Sequence, residues 1–397
     1  MSDARAGKPT STARHVPVTV ESRPQRVPDG TAAADVAGTD VAGLRGRATT
    51  STAADVDAAL TRRHPGLDDF ATLLSGAAGD RLEDMAQAAH RTTVARFGRT
   101  VRLFAPLYLS NECVSTCTYC GFSAGNQIAR RTLAVDQVAA EASELYRRGF
   151  RHVLLVSGEH ARIVNRDYLV DCVEAVAPTF AQVGIEVQVW DTATYGRLAA
   201  AGADGVIVYQ ESYDPDTYAA VHLKGKKRNY AWRLAAPDRA AEAGMRRLGV
   251  GVLLGLHPDW RSEAIALTAH AQALVRRWWR CEISIALPRL RPAAGEYEPT
   301  DPVDDRSFVQ LLCALRIVLP DVGISLSTRE PAALRDALVP LGVTTMSAGS
   351  HTEPGGYAAA SDAEPQFEIS DQRTPAEVAA ALRAAGYDPV WKDWQRA

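Results

Sequence analysis

From Val101 onward the chain alternates short β-branched or apolar runs with longer amphipathic stretches, and few architectures accept that rhythm. The strand candidates are 103–109 (LFAPLYL), 152–156 (HVLLV), 185–190 (IEVQVW), 205–209 (GVIVY), 248–254 (LGVGVLL), 283–287 (ISIAL), 323–327 (GISLS) and 343–347 (VTTMS). Helical patterns lie between them, as at 134–148, 165–181 and 262–279. This pattern predicts an α/β protein built as a parallel (β/α)8 barrel of TIM type, in preference to an open doubly wound sheet.

A barrel makes a demand on chemistry, because reactive groups gather where its strands end. Polar residues recur at those places here. Ser110 and three cysteines follow the first strand, Ser157-Gly158-Glu159 the second, Asp191 the third and Gln210-Glu211 the fourth. Arg289 and Arg291 follow the sixth, Thr328-Arg329-Glu330 the seventh, and Ser347 to Ser350 close the eighth. Any single one reads equally well as a helix cap or a solvated loop residue.

Around the expected barrel at 101–350 the chain divides further. Residues 1–50 are rich in small residues and lack aromatics, the first being Phe70, so a disordered leader is expected there. Glu21, Asp29, Asp35 and Asp40 argue against a targeting peptide. Residues 51–100 read as a helical extension opened by a Thr52/Asp55 capping box, and 351–397 as a C-terminal segment packing on the barrel. A net charge of -3 with 23% charged residues offers no field for nucleic acid or an anionic membrane. No stretch approaches the ~18 unbroken apolar residues of a membrane span, and the expectation is a cytoplasmic protein.

Of six cysteines, Cys172, Cys281 and Cys313 are scattered in apolar surroundings and read as buried small hydrophobes. Cys113, Cys117 and Cys120 are clustered in NECVSTCTYCGFS. Three thiolates are one short of a structural zinc site, for which His160 or His222 would have to supply the fourth ligand. On a four-iron four-sulfur (4Fe-4S) cluster, three thiolates leave one iron open to a further ligand.

The C-x3-C-x2-C loop, with Tyr119 just before its last cysteine, resembles the signature of the radical S-adenosylmethionine (AdoMet) superfamily. LYLSNECVSTCTYCGFS (107–123), VSGEH (156–160), VYQESY (208–213), HLKGKK (222–227), WRLAAPDR (232–239), PRLRP (288–292), SLSTRE (325–330), MSAGSHTEPGGY (346–357) and PVWKDW (389–394) are similar, within it, to the 2-iminoacetate synthases, tyrosine lyases of thiazole biosynthesis.

The resemblance implies that Cys113, Cys117 and Cys120 ligate a 4Fe-4S cluster whose open iron binds AdoMet. An adenosyl radical from reductive AdoMet cleavage would take hydrogen from the amino group of L-tyrosine. Loss of the Cα–Cβ bond would then give 2-iminoacetate (dehydroglycine) and p-cresol. Tyr119 is implied to lie along the adenine, and Ser157 and Glu159 to receive the methionyl ammonium. Glu211, Tyr213 and Gln188, the last expected on strand three, are further cofactor candidates. Arg329 is implied to bind the substrate carboxylate, with Tyr108 and Ser347 beside it.

A hydrogenase-maturase relative carries a second C-terminal cysteine cluster, but here no cysteine follows Cys313, which argues against carbon monoxide and cyanide production. A tryptophan lyase is the enzymatic alternative, and a non-catalytic zinc protein the alternative of a different class. Implied partners are thiazole synthase and a one-electron reductant such as flavodoxin or ferredoxin. The basic run 222–228 (HLKGKKR) is a candidate docking segment or a solvated loop.

Overall fold

The computed structural model describes residues 27–392, apart from 296 and 300. Eight parallel strands pair in chain order: β1 Thr100–Ser110, β2 His152–Ser157, β3 Gln182–Glu186, β4 Gly205–Glu211, β5 Arg247–Val252, β6 Glu282–Ala286, β7 Gly323–Leu326 and β8 Thr345–Ser347. β8 pairs back onto β1 at Arg102↔Thr345, Leu103↔Met346 and Phe104↔Ser347, which closes the barrel. A ninth strand, β9 (Asp388–Val390), extends β1 at its N-terminal end through Thr100↔Asp388.

The strands obey a two-residue alternation that defines the inside. On β1, Leu103, Ala105 and Leu107 belong to the core against the surrounding helices, while Phe104, Pro106 and Tyr108 line the barrel cavity. On β4 the cavity receives Ile207, Tyr209 and Glu211, with Val206 and Val208 outward. Small inward residues on β5 and β6 keep the interior open, among them Gly249, Ser284 and Ala286. A Cβ on Gly251 would stand 2.4 Å from the Tyr209 ring. The β5 glycines thus make room for barrel side chains.

Two irregularities mark the C-terminal mouth. The pairing register shifts between Tyr108 and Ser110 on β1, and again between Tyr209 and Glu211 on β4. Bulges of this kind re-aim side chains at barrel rims. The second coincides with φ +69° at Glu211, the only positive φ among the described non-glycine residues.

Order in the N-terminal region begins earlier than the sequence suggests. The disordered leader expected over 1–50 is corrected for its described part: Ala32–Ala37 and Val41–Thr50 are helices, with Ala32 and Ala33 fully buried. The physical reason is local. The buried Asp238 carboxylate accepts the Ala32 amide at 3.0 Å and the Ala33 amide at 3.4 Å, and Thr31 caps the same helix. Small side chains permit this close packing, so no large apolar group is required. Residues 1–26 and 393–397, which include the last two of PVWKDW, lie outside the described residues.

Behind this segment come helices Ala53–Thr61, Leu67–Leu73 and Leu82–Phe97, the first carrying the Thr52/Asp55 capping box. At the other end the chain after β8 crosses the barrel mouth. Its anchor is Asp371, fully buried with Arg335, whose guanidinium also donates to the Ser347 carbonyl. The Ser370 and Asp371 amides donate to the Thr328 carbonyl, which ties this segment to the loop carrying Arg329.

Candidate functional site

The cysteine loop leaves β1 and is held on three sides. The Gly158 amide donates to the Ser110 carbonyl, the Val114 amide to the Glu159 carbonyl, and Thr116–Cys117 pair antiparallel with His222–Lys224. A Cβ at Gly158 would stand 2.4 Å from the Glu112 carbonyl oxygen, so only glycine admits the loop this close to β2.

Cys113, Cys117 and Cys120 are free thiols on this one loop, Cys117 buried and the others half-buried. Burial pushes the Cys113 and Cys117 thiols up, and the neighbouring cysteines of the loop push in the same direction. Thiols in this state need a cationic centre before they ionise, which is what cluster iron supplies. Among the described residues no three His, Cys, Asp or Glu converge on a point that would suit a single ion. His222, a candidate fourth zinc ligand, has both ring nitrogens engaged, Nε2 with the Tyr119 hydroxyl at 2.8 Å and Nδ1 with the Tyr218 carbonyl at 2.8 Å. His160 uses Nδ1 to accept the Ile163 amide at 3.2 Å. The donor set therefore fits a multi-iron cluster better than one zinc ion.

Beside this loop stand two buried ion pairs. Glu159 accepts from Arg233 at 3.0 Å and from the Ser115 hydroxyl at 3.4 Å. Glu211 accepts from Lys227 at 2.6 Å. Burial raises the Glu211 carboxyl, but Lys227 and Arg233 outweigh it and hold it below the usual range. The ammonium of Lys227 also lies 5.7 Å from the Tyr119 ring centroid. Lys227 thus corrects the reading of 222–228 as wholly a solvated loop or docking run, since it turns inward to neutralise Glu211, whereas Leu223, Lys224 and Lys226 remain exposed.

The barrel cavity holds the substrate candidates together. Tyr108, Arg329 and Ser347 all line it, along with Tyr119, Cys120, Glu186, Tyr209 and Glu211. The Tyr108 hydroxyl donates to the Gln366 side chain at 2.8 Å, and the Gln366 amide reaches the Cys120 sulfur at 3.7 Å. The Arg329 guanidinium lies 3.4 Å from the Phe367 ring centroid. The two acids nearest to it in the sequence are engaged elsewhere: Glu330 binds Arg289, and Asp336 binds Arg373 at 2.9 Å. Among the described residues no carboxylate pairs with Arg329. Burial draws its pKa down, against the pull of the Tyr108 and Tyr209 hydroxyls.

Other candidates sit elsewhere. Gln188 is corrected from strand three to the bend beyond it, because β3 ends at Glu186; its amide donates to the Val164 carbonyl at 2.8 Å. Tyr213 points away from the barrel cavity, with its hydroxyl 2.8 Å from His270 Nδ1. Both line an outer pocket that also reaches Glu159. Ser157 has a buried hydroxyl without a hydrogen-bond partner, and Asp191 serves as a helix cap, accepting from the Thr194 amide at 2.7 Å. Sequence reasoning missed Glu186, Arg233, Gln366 and Phe367. Only the first carried a signal, a charged residue inside an apolar alternation.

No described helix is long and apolar enough to cross a membrane. Residues 107–268 match the Radical SAM superfamily, and residues 286–388 match the Biotin and Thiamin Synthesis associated domain. The chain is 45% identical to 2-iminoacetate synthase of Escherichia coli K12 over 88% of its own length and 93% of that relative. Against 2-iminoacetate synthase of Salmonella typhimurium the figures are 44%, 88% and 93%. Its fold superposes on HydG, a maturase of the FeFe-hydrogenase, with TM-score 0.84 and 30% identity, covering 90% of this chain and 80% of HydG. A barrel with three loop thiols at its mouth, the Arg329 guanidinium in its cavity and this likeness along most of its length make the chain a member of the 2-iminoacetate synthase family within the radical SAM superfamily.

Proposed function

We propose that this protein is a radical AdoMet lyase that cleaves the Cα–Cβ bond of L-tyrosine. The products would be 2-iminoacetate and p-cresol, with methionine and 5'-deoxyadenosine as co-products, and the role a step of thiamine thiazole formation in the cytoplasm. The observation that carries the reading is the unpaired Arg329 guanidinium inside the cavity that Cys120 also lines. A planar cation stacked on Phe367, with no carboxylate partner among the described residues, suits a carboxylate ligand.

When bound, the 4Fe-4S cluster and AdoMet supply reductive cleavage and the capacity to take a hydrogen atom from the substrate. The protein's part is to bind, orient and exclude water. Cys113, Cys117 and Cys120 would hold the cluster. Glu159 is suited to the methionyl ammonium, and its partner Arg233 to the methionyl carboxylate, by exchange of the ion pair they make with each other. Tyr119, whose hydroxyl is held by His222, would lie along the adenine, with Glu211 lining the same cavity. Arg329 would hold the tyrosine carboxylate, with the hydroxyls of Tyr108 and Ser347 as neighbours. Gln366 and Phe367, which line the cavity, would help to exclude water from the bound ligands. Ser157, Gln188 and Tyr213 have supporting places around Glu159 in this reading.

Two partners follow from the chemistry. An external one-electron donor of the flavodoxin or ferredoxin kind would reduce the cluster. Thiazole synthase would receive the hydrolysable imine, and the exposed part of the 222–228 run is a candidate contact. Anaerobic reconstitution tests the metal part of the reading. About four iron and four sulfide per chain are expected. One tight zinc with no iron would overturn it.

A further inference from the structure

We propose that Glu186 is a catalytic residue of this site, one that receives the substrate's α-ammonium group and takes a proton from it before hydrogen-atom abstraction. The inference rests on the tyrosine reading of the cavity and extends it to a group that reading leaves without a role.

The first support is a charge inventory of the cavity. Of the carboxylates that line it, Glu211 is paired with Lys227 and Glu330 with Arg289. Among the described residues three charged side chains lining the cavity are left over: Arg291, on the loop after β6, Arg329 and Glu186. Arg329 has no carboxylate partner, and Glu186 has neither an ion pair nor a hydrogen bond from its side chain among the described residues. Glu186 is thus the one unpaired carboxylate among the described residues lining the cavity, and with the Arg329 guanidinium it complements an α-amino acid zwitterion. Arg329 takes the carboxylate, which leaves the ammonium to Glu186.

Position supports the same assignment. Glu186 is the last residue of β3, and the alternation that puts Val183 and Ile185 in the outer core turns Glu186 inward. The charged and titratable groups around it are Glu211, Arg329, Lys227 and Arg233, with the hydroxyls of Tyr108 and Tyr209. Burial, aided by Glu211, lifts its carboxyl to about 7 against the pull of Arg329.

The chemistry requires such a group. A hydrogen atom leaves a neutral amine far more readily than an ammonium, whose loss of a hydrogen atom would leave a cation radical in a buried site. The step is a plain proton transfer: an N–H bond of the ammonium breaks, an O–H bond forms on Glu186, and no electron changes hands. Burial raises a carboxyl and lowers an ammonium, so enclosure brings the two proton affinities together. Below about 7 Glu186 is protonated and cannot accept, and above that it can, so turnover should rise with pH through this range.

The test uses reconstituted holoenzyme with AdoMet, oxidised so that no turnover occurs. Binding of L-tyrosine and of 3-(4-hydroxyphenyl)propionate, which lacks the amino group, is measured for wild type and Glu186→Gln. The variant is expected to weaken tyrosine at least about tenfold and the deamino analogue less than about twofold. In the reduced enzyme the rise of turnover with pH should vanish. Equal weakening of both ligands, or unchanged tyrosine binding with the pH limb retained, would overturn the inference while leaving the tyrosine reading standing. Loss of AdoMet binding with tyrosine binding intact would assign Glu186 to the cofactor and also overturn it. A wild-type protein that binds neither ligand would overturn both.

Discussion

Cys117→Ala is expected to remove iron–sulfur assembly and, with it, all AdoMet cleavage, while the barrel stays folded. Cys117 is the buried member of the three thiols and sits where its strand pairs with His222. No neighbour can replace it. His222 holds the Tyr119 hydroxyl and the Tyr218 carbonyl with its two nitrogens, and Cys172, Cys281 and Cys313 lie elsewhere, Cys172 and Cys313 within the main apolar core. Burial keeps the free thiol protonated, so its ionisation is linked to metal loading and not to folding of the apo chain. Iron and sulfide content, AdoMet cleavage and far-ultraviolet circular dichroism check this together. Retained AdoMet cleavage would exclude Cys117 as a ligand.

Arg329→Ala should weaken tyrosine binding by about 2 to 5 kcal/mol, or roughly thirtyfold to several thousandfold, with cluster content unchanged. The range is large because the guanidinium is buried and, among the described residues, no carboxylate forms an ion pair with it. A substrate carboxylate would therefore gain a desolvated partner without breaking an existing ion pair. The loop itself should survive the substitution. Its anchors are the Thr328 carbonyl, bonded to the Ser370 and Asp371 amides, and the Arg289 pair of Glu330, neither of which uses the Arg329 side chain. Equilibrium binding of tyrosine to the oxidised holoenzyme measures the effect. An affinity equal to wild type would remove Arg329 from the site.

The barrel was legible because its strands obey a strong rule, apolar runs of strand length between amphipathic helices. Its boundaries were less so. At IEVQVW the alternation continues past the true end of β3, which made Gln188 look like a strand residue and hid Glu186 as a rim residue. Which guanidinium pairs with which carboxylate is a tertiary fact. Glu330 and Asp336 lie near Arg329 in the sequence, yet in the fold they pair with the distant Arg289 and Arg373. Lys227 and Arg233 sit in short quoted stretches whose local polarity suggests surface, whereas both turn inward to buried carboxylates. Gln366 and Phe367 come from a segment without helical or strand period, placed by contacts to Thr352 and Thr328 on the far side of β8 and β7. The buried helix at Ala32–Ala37 shows the opposite lesson, that small residues suffice for order when a carboxylate such as Asp238 caps them.

The central claim is that this cavity accepts tyrosine and breaks its Cα–Cβ bond. The most direct test incubates the reduced holoenzyme with AdoMet and either L-tyrosine or L-tryptophan and compares the products. The account predicts p-cresol and dehydroglycine, recovered as its hydrolysis product, from tyrosine, together with 5'-deoxyadenosine, and no indole-derived product from tryptophan. Indole-derived product from tryptophan with no p-cresol from tyrosine would contradict it.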